Sequence, residues 1–159
     1  MESINENKTV LDRDEFDRQV REQIYPLLVP KVKPVADAVR ERFGIRPGGF
    51  TMQDFFGVCW AVGIELAEGL EYQFMADCRD VHGCLMRMPN GTALIYLRYF
   101  FDRYEPEPER TAAHELGHFF LQHKGMLLHK DGWSPDELKS YENVRSEIEA
   151  DLFAELLCG

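Results

Sequence analysis

Apolar residues recur at helical spacing near the start of the chain. In residues 13–29 about every fourth position is apolar, which predicts an amphipathic helix. Prolines in and after this stretch are expected to break or kink the helix before it resumes over residues 35–43. Gly44 is a suitable stop for that second part. The apolar positions are Phe16, Val20, Ile24, Leu27 and Leu28, and the prolines are Pro26, Pro30 and Pro34.

Three more helices are predicted further along the chain. Thr51 can cap a helix that runs to residue 61. A helix over residues 108–124 begins with proline among acidic residues, which the positive end of the helix dipole favours, and Gly125 follows as its stop. The spacing of a capping box occurs at residues 134–137, and the last amphipathic helix is predicted over residues 141–157.

Two β-rich stretches predict a hairpin. Residues 83–88 and 92–97 flank an Asn-Gly pair, which is the strongest short-range signal for a β-hairpin. Residues 64–72 alternate weakly and are predicted as strand or loop. Together with the helices, these elements predict an α+β fold in which helices surround a small antiparallel sheet of about three strands.

Length and charge narrow the class of protein. A chain of 159 residues with 45% hydrophobic residues fits a single domain, residues 1–159. The formal net charge of −10 argues against general nucleic-acid binding, which depends on neutralising phosphates. No apolar run approaches the roughly 18 residues of a membrane span, and the first residues lack the pattern of a signal peptide, so a cytoplasmic protein without a membrane partner is expected. The four cysteines, irregularly spaced, are predicted to be thiols.

One stretch has the opposite charge. Residues 31–46 contain five basic and two acidic side chains, most simply interpreted as a solvated helix face and alternatively as a local docking patch. A helix-turn-helix for DNA over residues 35–60 is a further hypothesis. The turn residues 47–49, Pro-Gly-Gly, and the overall negative charge disfavour it.

The candidate chemistry lies in the helix over residues 108–124, which contains the motif His-Glu-x-x-His. His114 and His118 are four residues apart and therefore share a helix face, where two imidazoles can bind one Zn²⁺. Glu115 projects beside them and can take a proton from a water molecule that the metal activates. The motif indicates a metal site with an adjacent general base.

A third protein ligand is expected from the last helix, which carries several acids. Glu147 and Asp151 are four residues apart and share a face, so Glu147 can bind the metal while Asp151 accepts the outer N–H of a ligand histidine. Glu149 points about 200° away from Glu147 on an ideal helix. Glu147 is the favoured ligand, Glu149 is the alternative, and the one that does not bind is expected at the surface.

These two segments resemble the ImmA/IrrE-type zinc metallopeptidases. Residues 110–123, Arg-Thr-Ala-Ala-His-Glu-Leu-Gly-His-Phe-Phe-Leu-Gln-His, are similar to the active helix of that family. Residues 147–157, Glu-Ile-Glu-Ala-Asp-Leu-Phe-Ala-Glu-Leu-Leu, are similar to its later segment, whose first Glu is the third ligand. The resemblance implies a zincin-like core over residues 50–157, one bound zinc ion, and a helical N-terminal extension over residues 1–48.

The resemblance also implies a function. It predicts a cytoplasmic metalloprotease of the HExxH type that cuts a partner transcriptional repressor of helix-turn-helix class, and so acts in transcription regulation, stress responses or phage defence. The alternative is a metal-binding sensor or regulatory partner-binding protein without catalysis. Replacement of Glu115 by Gln distinguishes the two, because only catalysis needs the carboxylate.

Further residues are candidates for supporting roles. Cys84 or Cys78 could place a thiolate on the zinc and hold an enzyme inactive, or could be small buried side chains. Residues 92–97 are the predicted strand edge for an extended substrate. His123 lies about 140° from the ligand face of the predicted helix, and is not expected to bind the same metal. The residue that stabilises an oxyanion stays open among His82, His129, Tyr96, Tyr99 and Tyr141.

Overall fold

The computed structural model describes residues 13–67, 81–124, 127–130 and 141–159. Over these residues the protein is α+β, as predicted, with helices packed against a small sheet. The helices are α1 (Arg13–Gln19), α2 (Tyr25–Phe43), α3 (Met52–Val62), α4 (Pro108–Phe120) and α5 (Tyr141–Cys158), and a π-helical turn (Val20–Ile24) joins α1 to α2. The strands are β1 (Glu65–Leu66), β2 (Val81–Arg87), β3 (Ala93–Leu97) and β4 (Leu127–Lys130).

The prolines near the start of the chain do not interrupt α2. Of the predicted break or kink, the break does not occur: Pro30 and Pro34 lie inside α2, and Pro26 stands in its first turn. All three prolines are exposed, whereas the opposite helix face is buried. Proline lacks a backbone N–H, so each proline inside the helix removes one hydrogen bond. Burial of the opposite face compensates for this loss, because packing contributes more to the stability of a helix in a protein than local propensity does. The buried residues are Leu28, Val32, Ala36 and Val39.

The end of α2 and the start of α3 lie where the sequence predicts them. Gly44 ends α2 in the left-handed conformation, with φ of 65°, which glycine adopts at no steric cost. Thr51 begins α3 with a capping box: its hydroxyl accepts from the Asp54 N–H at 3.1 Å, and its own N–H donates to the Asp54 carboxylate at 3.0 Å. Both predictions are confirmed.

The sheet is larger than predicted and is mixed rather than antiparallel. Its strand order is β1-β3-β2-β4. The β2–β3 hairpin is antiparallel as predicted, and β4 pairs antiparallel with β2. However, β1 runs parallel to β3, a direction that the sequence of a two-residue strand cannot reveal. Because β3 is an inner strand of the described sheet, the prediction that residues 92–97 form a free edge for a substrate is wrong.

Helix α4 is shorter than predicted. It begins at Pro108, as expected, but ends at Phe120 instead of residue 124. The chain turns at Gln122, which has φ of 59° in the left-handed region. Gly125 and the capping box at residues 134–137 lie outside the described residues. The last helix agrees with its prediction to within one residue.

Most buried apolar side chains form one core between the helices and one face of the sheet. Helix α5 packs against both α4 and α2, and α4 also packs on β2. This main core includes Val32, Phe55, Leu85, Leu116 and Phe153, and a smaller cluster contains Ala67, Val81, Cys84, Leu94 and Tyr96. None of the helices in the described part of the chain is both long and apolar enough to span a membrane.

Candidate metal centre

Helix α4 presents two histidines to the interior of the protein. The Nε2 atoms of His114 and His118 lie 3.1 Å apart, as expected for residues one helical turn apart on the same face. Both rings are buried, with 1% and 0% of their surface exposed. Gly117 faces α5, where an added Cβ atom would lie only 3.0–3.1 Å from three atoms of Phe153, so the absence of a side chain lets the two helices approach closely.

Helix α5 brings Glu147 to the same point. Its Oε2 atom lies 2.8 Å from His114 Nε2, and its Oε1 atom lies 3.1 Å from His118 Nε2. The described contacts place Glu147, and not Glu149, beside these two nitrogens, whereas the role of Glu147 as a metal ligand stays a prediction. Two imidazole nitrogens from α4 and one carboxylate from α5 therefore lie next to one another.

Asp151 contacts the outer nitrogen of His114. The Nδ1 atom of His114 donates to Asp151 Oδ1 at 2.7 Å. Asp151 stands one helical turn after Glu147 on α5, so a single helix face supplies both carboxylates, as the spacing predicts. A carboxylate in this position fixes the ring orientation of a ligand histidine and increases the basicity of its other nitrogen.

His118 has a different outer partner, which helical spacing does not predict. Its Nδ1 atom lies 2.9 Å from Nδ1 of His123, and His123 Nε2 donates to Glu149 Oε1 at 2.8 Å. On a helix that continued to residue 124, His123 would face away from the site. Because α4 ends at Phe120 and the chain turns at Gln122, His123 instead folds back onto His118.

Glu149 is a buried residue and not the surface residue that was predicted. Only 1% of its surface is exposed. Lys31 Nζ donates to both of its carboxylate oxygens at 3.0 Å, and Arg145 Nε donates to Oε2 at 2.9 Å. These charged partners compensate the burial of the carboxylate. Lys31 belongs to α2 and is far from Glu149 in the sequence, so the spacing of residues within one helix could not predict this contact.

Glu115 is buried beside the two imidazoles without a hydrogen-bond partner. It is 0% exposed, and among the described residues neither of its carboxylate oxygens is bonded. Its side chain lies against Gly83 of β2, where an added Cβ atom would stand 3.2 Å from Glu115 Oε1. A buried carboxylate without partners is costly, so it indicates a site that a ligand or solvent completes.

The ionisation of the centre follows from this burial and pairing. Burial of the His114 ring opposes its charged form, but Glu147 and Asp151 outweigh that effect and raise the pKa of His114 well above its usual value. Burial lowers the pKa of His118 to about 4. Burial opposes ionisation of Glu147 as well, yet its pKa is lowered because His114 stands beside it. Burial raises the pKa of Glu115 well above its usual value.

The residues fit a divalent metal ion. His114, Glu115 and His118 form a buried group whose potential ligand atoms lie within 4.8 Å of one another. Two imidazoles and a carboxylate, with Glu147 as the oxygen donor, are a donor set that zinc takes in catalytic sites. Imidazole and carboxylate groups bind a metal ion in their deprotonated forms, so metal binding at these residues depends on pH.

Of the two predicted inhibitory thiols, only Cys84 belongs to the described residues, and it packs away from this centre. Gly83 faces Glu115 and Leu85 belongs to the main core, whereas Cys84 lies between them on β2 and packs in the smaller cluster. Successive side chains of a strand point to opposite faces, so Cys84 points away from α4 and its predicted inhibitory role is not supported. Cys78 lies outside the described residues.

Three of the candidates for oxyanion stabilisation have described side chains: His82, Tyr96 and Tyr99. His82 contacts Glu105 through Nδ1, and Tyr96 is buried in the smaller cluster with Cys84. The side chains of His129 and Tyr141 lie outside the described part. The Tyr99 hydroxyl accepts from Arg103 at 3.5 Å. The described contacts join none of these residues to the metal-binding group.

Comparisons of the chain with protein-family models, with curated proteins and with solved structures gave no match. The geometry of the centre and the resemblance of its two helical segments are therefore the basis for the function proposed below.

Proposed function

We propose that the protein is a zinc-dependent endopeptidase in which His114, His118 and Glu147 bind one zinc ion and Glu115 is the general base. One observation carries the proposal: two imidazole nitrogens and a carboxylate from separate helices lie within 3.1 Å of each other, beside a buried carboxylate that has no described hydrogen-bond partner. Burial of such polar groups costs free energy, so a cluster of this kind indicates a site that binds a ligand.

Each residue has a distinct task in the proposed reaction. Zinc, when bound, supplies a Lewis acid that polarises a peptide carbonyl and lowers the pKa of water toward about 7. The carboxylate of Glu115 accepts the proton of the attacking water and passes it to the leaving amine. Asp151 holds the ring of His114, so that its Nε2 atom keeps a lone pair directed at the centre.

The proposed substrate is a protein, namely a helix-turn-helix repressor in the cytoplasm, as the resemblance to ImmA/IrrE-type metallopeptidases implies. The negative charge of the chain supports a role away from DNA itself, so that control of transcription would operate through cleavage of the repressor. An extended substrate can pair with a sheet edge, and in the described sheet β4 lies at an edge and neighbours β2.

Burial of the centre favours a second candidate, a metal sensor without catalysis. His114, Glu115 and His118 are each no more than 1% exposed, whereas a peptidase must admit an extended chain to its metal. In a sensor, Glu115 would be dispensable for the response to zinc. In the endopeptidase, it is essential for turnover.

Substitution of Glu115 by Gln separates these functions. The zinc content of Glu115→Gln, measured by elemental analysis, should equal that of the wild type, because Glu115 is the proposed base and not a ligand. Hydrolysis should fall by about 10²–10⁴-fold, the usual contribution of a general base. Glu109→Gln, on the first turn of the same helix, is the matched control and should retain activity.

Cleavage can be detected even while the substrate is unidentified. Each zinc-loaded variant is incubated with a native lysate of the source organism, and new protein N-termini are identified by mass spectrometry. The proposal predicts new termini in a DNA-binding repressor with wild type and Glu109→Gln only. Equal cleavage by Glu115→Gln would show that the base is wrong, and zinc binding without any new termini would favour the sensor.

A further inference from the structure

The outer nitrogen of His118 contacts a second histidine instead of a carboxylate. His118 Nδ1 lies 2.9 Å from His123 Nδ1, and both rings are buried. His114, by contrast, contacts Asp151 directly. The outer nitrogens of the two proposed zinc ligands on α4 therefore have different hydrogen-bond partners. The partner of His118 is a residue that has no part in the proposed reaction.

The groups at the two ends of the series His118–His123–Glu149 determine which atom donates and which accepts in each hydrogen bond. A histidine binds zinc through a nitrogen with a lone pair, so His118 must keep its proton on Nδ1 when Nε2 faces the metal. At the other end, the carboxylate of Glu149 only accepts, so His123 donates from Nε2. The Nδ1 atom of His123 is then the acceptor for His118, and every contact has one donor and one acceptor.

Glu149 is held in place from two helices. Lys31 on α2 donates to both carboxylate oxygens, and Arg145 on α5 donates to Oε2. The carboxylate is almost fully buried, whereas both cations reach solvent, with 49% and 46% of their side chains exposed. This arrangement fixes the position of the oxygen that accepts from His123.

We propose that His123 and Glu149 are positioning residues for His118, and that Lys31 anchors them from α2. The proposal rests on the zinc site proposed above. It assigns to His123 the selection of the His118 tautomer that can bind zinc, and it makes zinc affinity depend on a lysine in α2. Loss of an outer partner of a ligand histidine usually weakens metal affinity by about 10–100-fold.

The first test compares two substitutions of His123 by their zinc dissociation constants, measured by competition with a chromophoric chelator. His123→Phe keeps a ring of similar size but removes both nitrogens, and it should weaken zinc binding by about 10–100-fold. His123→Asn keeps an oxygen that can accept from His118, and it should recover part of the loss. The d–d absorption spectrum of bound Co²⁺ should change in His123→Phe and return toward that of the wild type in His123→Asn.

The second test uses the lysine, whose exposed location makes misfolding a small concern. Lys31→Met should weaken zinc binding by a smaller factor than His123→Phe, because Arg145 still holds Glu149. Lys33→Met is the matched control: Lys33 stands on the same helix and pairs with Asp37, so zinc affinity should not change. The unfolding temperature of each metal-free variant shows whether the fold is intact.

The outcomes distinguish this proposal from the zinc site itself. If the wild type binds no zinc, the proposed function and the positioning role both fail. If the wild type binds zinc and both His123→Phe and Lys31→Met bind it with wild-type affinity, the positioning role alone is overturned. If His123→Phe does not fold, equal zinc affinities of Lys31→Met and Lys33→Met overturn the role, and a weaker affinity of Lys31→Met alone supports it.

Discussion

At the scale of single residues, Gly83 provides the space that the Glu115 side chain occupies. A methyl group added at Gly83 would stand 3.0 Å from Thr111 Cγ2 and 3.2 Å from Glu115 Oε1, closer than side chains normally approach. Gly83→Ala should therefore displace the proposed base without removing a metal ligand. Zinc content should stay unchanged, whereas the rate of hydrolysis should fall by about tenfold or more, since small displacements of catalytic groups are costly.

The control for this prediction is another glycine. Gly57 is exposed in α3, and an added Cβ atom would contact nothing within 4 Å. Gly57→Ala should leave turnover unchanged and raise stability by up to about 1 kcal/mol. Loss of zinc from Gly83→Ala in elemental analysis, or full activity with zinc bound, would contradict the assigned role of Gly83.

Residues related by helical spacing were predictable, and those beyond the helix end were not. His114 and His118, and likewise Glu147 and Asp151, lie where a period of 3.6 residues places them. His123 could not be placed because α4 ends at Phe120 without a glycine or proline to mark its end. The burial of Glu149 depends on Lys31, and no local pattern links these two residues.

At the scale of elements, the centre depends on the distance between α4 and α5. Gly117 lies at their contact, where an added Cβ atom would approach three atoms of Phe153 to within 3.0–3.1 Å. Gly117→Ala and, more strongly, Gly117→Val should force the helices apart. We expect a loss of about 1–3 kcal/mol in the free energy of unfolding, measured with urea on the metal-free protein.

A double-mutant cycle checks the cause of that loss. Phe153→Leu removes ring atoms that an added methyl group at Gly117 would contact, so Gly117→Ala should cost less free energy in the Phe153→Leu background than in the wild type. Equal costs in both backgrounds would show that the helices do not meet as described.

The element pattern was predicted better than the sheet topology. Hydrophobic periodicity and capping residues placed α3, α5 and the β2–β3 hairpin. Strand β1 lies within residues 64–72, which were predicted as strand or loop, but its parallel pairing with β3 was not predicted, because β1 has only two residues and β3 follows β2 in the chain. Burial of one face of α2 kept that helix continuous across its prolines, and this packing is not visible in local sequence.

At the scale of the whole molecule, α2 belongs to the same core as the helices of the metal centre. Val32 and Ala36 are fully buried in the main cluster, together with residues of α4 and α5. The division into an extension over residues 1–48 and a core over residues 50–157 stays a prediction. If the proposed metal ion binds at α4 and α5, the shared core implies that it stabilises the described helices as a unit.

Zinc should therefore raise the unfolding temperature of the protein. Free zinc at 100 times its dissociation constant stabilises the folded state by about 2.7 kcal/mol, which corresponds to about 5–10 °C for a chain of this size. Glu147→Ala should abolish the increase, whereas Glu155→Ala, on the same helix but paired with Arg21, should preserve it. Equal increases in both variants, measured by differential scanning calorimetry, would exclude Glu147 as a ligand.

The central claim is that two histidines and a glutamate hold one zinc ion. X-ray absorption spectroscopy of the zinc-loaded protein at the zinc edge tests it most directly, because the spectrum distinguishes imidazole, oxygen and sulfur ligands. We predict one zinc ion per chain with two imidazole ligands and at least one oxygen ligand from a carboxylate. A spectrum without the scattering of two imidazole rings, or a protein that retains no zinc, would contradict the account.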